Sequence, residues 1–234
     1  MTGGSSDACC GQQEKRQPIY VKAPKKTKRL KYKMTLATLF ASYGSDKDRN
    51  GYSSLYNALF LPLKDAPLQL LEVGIGTMIA GAPSSMKHYT PDSYVPGASL
   101  RAWRDFFCNG SIHGMDVQAD CLFSEERITT HPCDSTNAES CQAWIEAHAL
   151  TFDVVIDDGS HWDQHQLATL KNLWPILKPG GFYVVEDVMP DSLVSREPQK
   201  VHEIVGDVGI FFAGLKSNLC VIHKLPLQCC REHF

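Results

Sequence analysis

Apolar and polar positions alternate along this chain in two rhythms. Residues 35–43 (TLATLFASY) carry a helical pattern that Gly44 ends, since a residue without a Cβ suits a C-cap. A second helical stretch over residues 53–60 stops at Pro62. The pattern then switches between strand and helix. Residues 68–73 (LQLLEV), 111–117, 127–130, 152–156 (FDVVI) and 181–185 (GFYVV) are short apolar runs bounded by turn residues, which predicts strands. Residues 99–107 place Leu100, Trp103 and Phe107 on one helical face, and residues 138–150 and 163–177 continue as helices. Runs 208–213 and 219–223 flank Gly-Leu-Lys-Ser-Asn and predict a hairpin. The expected fold is therefore α/β and Rossmann-like: a mostly parallel seven-stranded sheet with helices on both faces and an antiparallel C-terminal edge hairpin. No internal repeat is present.

Composition changes this picture only at the N-terminus. A 234-residue chain with 43% hydrophobic and 21% charged residues suits one domain with a full core. No apolar run approaches the ~20 residues of a membrane span, and residues 1–11 lack the apolar core of a secretion signal. A cytoplasmic location is expected. Nine cysteines, an odd count with adjacent pairs at Cys9-Cys10 and Cys229-Cys230, fit reduced thiols. Residues 15–33 hold nine Lys or Arg and no acid, leaving 14 basic against 24 acidic side chains after residue 33. Residues 1–33 are thus expected to be a disordered basic arm, and residues 34–234 the folded domain. An acidic body argues against a nucleic-acid partner. The arm is expected to be a solvated tail, with an anionic membrane surface as the further contact that residues 15–33 suit.

In a doubly wound sheet a ligand sits outside the carboxyl ends of the strands. Glu72-Val-Gly74-Ile-Gly76 follows the first strand, where glycines let a ligand approach the backbone and the acid can face a cationic cofactor. The pattern lacks the third glycine of a dinucleotide fingerprint. Asp116 ends the second strand about forty residues on, where a carboxylate can accept both ribose hydroxyls. Residues 78–96 account for the long gap, as a loop inserted before the helix start Gly97-Ala-Ser99-Leu-Arg101. Asp134 follows the third strand, within reach of an adenine amino group. Singly, each is also what a turn looks like. Three in register point to a nucleoside.

The series Glu72-Val-Gly-Ile-Gly76, Gly97-Ala-Ser-Leu-Arg-Ala-Trp103, Gly114-Met-Asp116, Phe152-Asp-Val-Val-Ile-Asp-Asp-Gly-Ser-His161 and Lys178-Pro-Gly-Gly-Phe-Tyr-Val-Val-Glu-Asp187 resembles the class I methyltransferases. More narrowly, it resembles the metal-dependent sugar O-methyltransferases of macrolide biosynthesis (mycinamicin and tylosin type). Tyr43-Gly-Ser-Asp-Lys47, Tyr52 and Tyr56 are similar to that family's N-terminal segment. The resemblance covers about residues 43–188. It implies S-adenosylmethionine, held around Glu72, Gly74, Gly76, Ser99, Asp116, Asp134 and Asp157. It also implies magnesium (or manganese), a hydroxyl on a small-molecule acceptor, and a homo-oligomer. The chain is short beside the macrolide enzymes, which carry an extra N-terminal region.

Asp158 lies just beyond the fourth strand, and Glu186-Asp187 just beyond the fifth. Neighbouring strands run about 4.8 Å apart, so these carboxylates are expected to converge. Unpaired like charges would raise at least one pKa, and a hard divalent cation removes the conflict. His161, three residues past Asp158, is expected to act as general base, its ordinary pKa being ~6.5. His165, one helical turn on, is a candidate partner of His161. Trp103, Trp162 and residues 89–94 are candidate walls for the acceptor. The bland alternative makes the acids helix caps and His161 a backbone-bonded helix residue. Two other functions remain open at this point: a hydroxylase-like metalloenzyme using His161 and His165, and a non-catalytic S-adenosylmethionine-binding protein.

Overall fold

Strand parity divides the apolar side chains of this protein between two layers of core. A computed structural model describes residues 34–206, 209–213 and 218–226. Helices α1 (Leu36–Tyr43) and α2 (Ser53–Phe60) precede β1 (Gln69–Val73), followed by α3 (Ala98–Phe106), β2 (Ser111–Asp116), a two-residue β3 (Ser124–Glu125) and β4 (Ile128–Pro132). Then come α4 (Ala138–His148), β5 (Phe152–Asp157), α5 (Asp163–Leu173), β6 (Leu177–Val185), α6 (Leu193–Arg196), α7 (Pro198–Val205), β7 (Gly209–Ala213) and β8 (Leu219–His223). The sheet order is β3-β4-β2-β1-β5-β6-β8-β7. Strands β4, β2, β1, β5 and β6 run parallel, while β8 and β7 close the edge antiparallel. These are the seven expected strands, with β3 as a small addition.

Boundaries follow local chemistry. Thr35 caps α1 by accepting the Thr38 N–H at 3.3 Å, and Gly44 ends it in the left-handed region at φ 79°. Pro175 converts the end of the expected 163–177 helix into a 3-10 turn over Trp174–Ile176, so β6 starts earlier than the apolar run implied. Residues 189–200, for which the apolar pattern predicts no element, contain α6 and the start of α7. Ser192 caps α6 by accepting the Ser195 N–H at 3.2 Å. The basic arm, residue 208 and residues 214–217 of the hairpin lie outside the described residues. Among the described residues, no helix is long and apolar enough to cross a membrane, and their five cysteines are free.

Along β1, Leu70 packs beneath α1, α2 and α3, while Leu71 and Val73 face α4, α5 and α7. The same alternation puts Val154 and Ile156 of β5 and Val184 of β6 on the first face, and Val155 and Val185 on the second. On the first face Trp103, fully buried, meets the rings of Phe40 and Tyr56 edge-on at 4.9 and 5.1 Å. Continuing the count past the strand ends has a chemical result: Glu72, Asp158 and Glu186 fall on the α1–α3 face, and Asp157 on the other. The crossovers reverse direction between β1 and β5, which opens a crevice at their carboxyl ends.

Candidate active site at the carboxyl edge of the sheet

A cavity of about 290 Å³ occupies that crevice. Its floor is the turn after β1. Gly74 has φ +87°, and a Cβ there would stand 2.0 Å from the Asp158 carbonyl oxygen, so only glycine lets the β1 and β5 ends run this close. Gly76, also at φ +87°, would collide with the Tyr94 hydroxyl at 2.4 Å. Asp116 braces the turn: its Oδ2 accepts the Ile75 N–H at 2.8 Å and its Oδ1 the Gln118 N–H at 2.9 Å. Each oxygen keeps a lone pair for a ligand. Asp134 is exposed on the rim, and its Oδ1 accepts from the amide and hydroxyl of Thr136. Asp157 is buried, its Oδ1 accepting the Gly159 N–H at 3.2 Å and its Oδ2 having no partner. Burial pushes its carboxyl up to about 7, against the opposing pull of that N–H. The Gln166 Oε1, on the same cavity wall, is also buried and unpartnered.

The chemistry lies at the β5 and β6 ends. Asp158, His161 and Asp187 each offer one donor atom, all within 4.8 Å of one another. His161 Nε2 stands 3.2 Å from Asp158 Oδ1 and 3.5 Å from Asp187 Oδ2. Both His161 (φ +60°) and Asp187 (φ +51°) adopt left-handed backbone. This region is uncommon for non-glycine residues, though Asp and His enter it more readily than most, and it sets the direction in which both side chains leave the backbone. Burial works against the charged imidazole, but the hydrogen bond and charge of Asp158, with Asp187 behind, outweigh it and push His161 up to about 9. The ring is then an imidazolium lodged between two carboxylates, standing where a cation would be held.

On the α1–α3 face lies a second, largely buried cluster that backs the cavity wall. Lys47, 1% exposed, sends its ammonium to Asp158 Oδ2 at 2.6 Å, Glu186 Oε2 at 2.7 Å and Glu72 Oε1 at 3.2 Å. Tyr56 donates to Glu186 Oε1, and Tyr52 donates to Asp187 Oδ1 at 2.5 Å. Glu72 takes two more donors, Ser99 Oγ at 2.7 Å and Trp103 Nε1 at 2.6 Å. Burial opposes the Lys47 charge, and the three carboxylates more than restore it, raising its pKa well above normal. Asp158 is held below its ordinary value because Lys47 and His161 outweigh its burial. Glu186 is raised well above its own by burial and by Asp158, despite Lys47.

No protein-family model matches the chain. It is 33% identical over 154 residues to 8-demethyl-8-alpha-L-rhamnosyl tetracenomycin-C 2'-O-methyltransferase of Streptomyces olivaceus, covering 65% of this chain and 37% of that one. It is 35% identical over 133 residues to mycinamicin VI 2''-O-methyltransferase of Micromonospora griseorubida, covering 57% and 30%. The matched stretch is thus about a third of the length of these curated relatives. Among solved structures, the chain is similar to a methyltransferase of the mycinamycin biosynthetic pathway in complex with Mg, SAH and mycinamycin VI. The TM-score is 0.67 at 24% identity, covering 82% of this chain and 55% of that one.

The fold is that of a class I methyltransferase. Within it, Gly74, Gly76, Ser99, Asp116, Asp134 and Asp157 line the cavity at the carboxyl edge, and so do Asp158, His161, Glu186 and Asp187. Glu72, expected to face the cofactor, does not line the cavity. It shares strand parity with Leu70, is fully buried behind the wall, and spends its carboxylate on Ser99, Trp103 and Lys47. The expected convergence of Asp158, Glu186 and Asp187 on one point divides in two. Asp158 and Asp187 meet at His161, whereas Glu186, 1% exposed, faces Lys47 and Tyr56.

His165 turns from His161 to Ser160 Oγ at 2.7 Å and stacks on Trp162, so among the described residues no two-histidine iron set forms. Trp103 is core and Tyr94 is cavity wall, whereas Trp162, next to the lining residue His161, is 66% exposed and does not itself line the cavity. Sequence reasoning gave no role to Lys47, Tyr52 or Tyr56. The available signal was parity: three acids on one covered sheet face require a cation, and the α1–α2 segment covers that face.

Proposed function

We propose that this chain transfers the methyl group of S-adenosylmethionine to a hydroxyl of a small-molecule acceptor carrying a sugar, assisted by a divalent cation. The observation that carries the proposal is the Asp158–His161–Asp187 cluster on the wall of a nucleoside-sized crevice in a class I methyltransferase fold. The named activities of the relatives, methyl transfer to hydroxyls of rhamnosyl tetracenomycin and mycinamicin VI, support it.

The residues fit both groups. The glycine turn gives a cofactor close approach to the backbone, and Asp116 offers free lone pairs to vicinal hydroxyls. The orphaned Asp157 Oδ2 and Gln166 Oε1 are acceptors suited to the ammonium of an amino-acid moiety. Asp158 and Asp187, half-exposed hard-oxygen donors beside an imidazole, suit magnesium or manganese. Glu186 would join that ion only by exchanging the Lys47 ammonium for it. A divalent ion, when bound, acidifies the acceptor hydroxyl and fixes its oxygen. S-adenosylmethionine, when bound, supplies the electrophilic methyl group.

The chain's own work is then proton and position. A divalent cation on the two aspartates would take over the charge that keeps His161 protonated, and the neutral ring then presents Nε2 as the atom placed to take the hydroxyl proton. Asp158 Oδ1 orients that ring while its Oδ2 stays anchored on Lys47. Trp162, one residue on and largely exposed, is an apolar surface of the kind suited to stacking on a sugar ring. The homo-oligomer implied by the family resemblance belongs to the same proposal.

The test is incubation of the full chain with methyl-labelled S-adenosylmethionine, Mg²⁺ and a panel of deoxysugar glycosides, followed by NMR of the products. The expected result is an O-methyl ether on a sugar hydroxyl. Tight cofactor binding with no label entering any hydroxyl of the panel contradicts the reading.

A further inference from the structure

Three carboxylates, Glu72, Asp158 and Glu186, end on one sheet face with an oxygen each 2.6–3.2 Å from a single point, the Lys47 nitrogen. That spacing around one centre is a little wider than a hard-cation shell of about 2.1–2.6 Å, and an ammonium is what fills it. Lys47 lies outside the sheet, on a connection that also lines the cavity through Ser45, Asp46 and Asn50. It arrives from the α1–α2 connection, the same segment that sends Tyr52 to Asp187 and Tyr56 to Glu186. One short stretch therefore ties down every carboxylate of the chemistry edge except Asp157.

We propose that Lys47 is a resident cation of the site. Its ammonium occupies a second cation position, so that the carboxylate edge accepts one divalent ion, on the Asp158 Oδ1–Asp187 side, and not two. Lys47 is a positioning residue in this scheme. It fixes the Asp158 carboxylate through Oδ2 and so aims Oδ1 at His161 and the open side. It also gives a reason for a lysine rather than a second metal: a covalently held charge keeps the edge assembled while acceptor and product come and go. The inference takes from the proposed function only that a divalent ion binds the open side, and its test separates the two.

The test counts bound Mn²⁺ by electron paramagnetic resonance during titration of the full chain, alongside thermal unfolding with and without metal. Lys47→Met keeps the side-chain volume up to its last carbon and leaves the ammonium position empty. It is expected to bind one Mn²⁺ more than the wild type, whatever the wild-type count. Its melting temperature should fall by several degrees without metal and recover with Mn²⁺ by more than the wild type gains. Lys47→Arg, which keeps the charge, should match the wild-type count. A folded Lys47→Met chain with the wild-type Mn²⁺ count overturns the proposal. A wild-type count of zero with a Lys47→Met count of one upholds it while removing the open-side metal.

If Lys47→Met does not fold without metal, the double variant Lys47→Met/Glu186→Gln decides. Removing one of the carboxylates should restore folding if unbalanced charge is the cause, and a double variant no more stable than the single one overturns the proposal.

Discussion

The two halves of the carboxylate edge contrast sharply in how their charges are met. On the α1–α3 side, Glu72 and Glu186 are buried and supplied with donors: an ammonium, a serine, an indole and a tyrosine. On the cavity side, Asp157 Oδ2 has no partner, and Asp158 and Asp187 share one half-exposed imidazole. Satisfied buried networks hold a fold together, because a charge left unpaired there is costly. Under-satisfied acceptors in a crevice are what a ligand completes. Asp158 belongs to both halves, one oxygen in each. The buried half thus has the character of a frame, and the open half that of a surface with acceptors left for a ligand.

Breaking the shared residue should show the largest effect. Asp158→Asn removes a ligand, the anchor of Lys47 and the partner of His161 together. Methyl transfer, measured with labelled cofactor, should fall more than ~10³-fold. Stability by urea unfolding should drop by about 3–5 kcal/mol, the usual result of stranding a buried charge. Breaking only the open half should cost less stability. His161→Gln should lower kcat by about 10²–10⁴, the range for loss of a general base, with a smaller fall in unfolding midpoint than Asp158→Asn, because the imidazolium it removes is partly exposed to solvent.

Much of this contrast was legible in the sequence, and some was not. The unbroken apolar runs of β1, β5 and β6 and the punctuation by Pro67, Gly74 and Gly180-Gly181 gave the parallel sheet and the acids at its edge. Helices α6 and α7 escaped notice because Met189, Pro190, Asp191 and Pro198 read as loop chemistry, and α6 is only four residues long. Lys47 escaped for a different reason. Its partners lie 25, 111 and 139 positions away, and a lysine between Asp46 and Asp48 looks like a solvated charge. Only the parity of Glu72, Asp158 and Glu186 along their strands, counted together, foretells the buried cation. Glu72 itself was placed toward the cofactor because position after a strand was weighed without asking which face it takes.

A smaller effect sharpens the cavity side. Asp157 is held near 7 when folded, above its ordinary 3.8. The native state therefore binds this proton more tightly than the unfolded chain does. Stability from this group is fully present below pH ~4 and declines as pH rises through 7, by at most about 4 kcal/mol. Asp157→Asn should flatten that part of the pH–stability curve. An unchanged slope would mean that Asp157 is already ionised and paired. Smallest of all, Trp162→Ala, at an exposed position, should leave stability within ~0.5 kcal/mol. It should raise KM for a sugar acceptor several-fold with kcat little altered. Equal loss of kcat and stability would place Trp162 in the frame and not at the acceptor.

The most direct measurement of the central claim is methyl transfer by chelator-treated protein across a Mg²⁺ titration, run beside Asp187→Asn. The chelated wild type is expected to be inactive and to recover with added Mg²⁺, and Asp187→Asn to need far more Mg²⁺ for half-recovery. Full activity in the presence of chelator, or an Asp187→Asn titration identical to wild type, contradicts it.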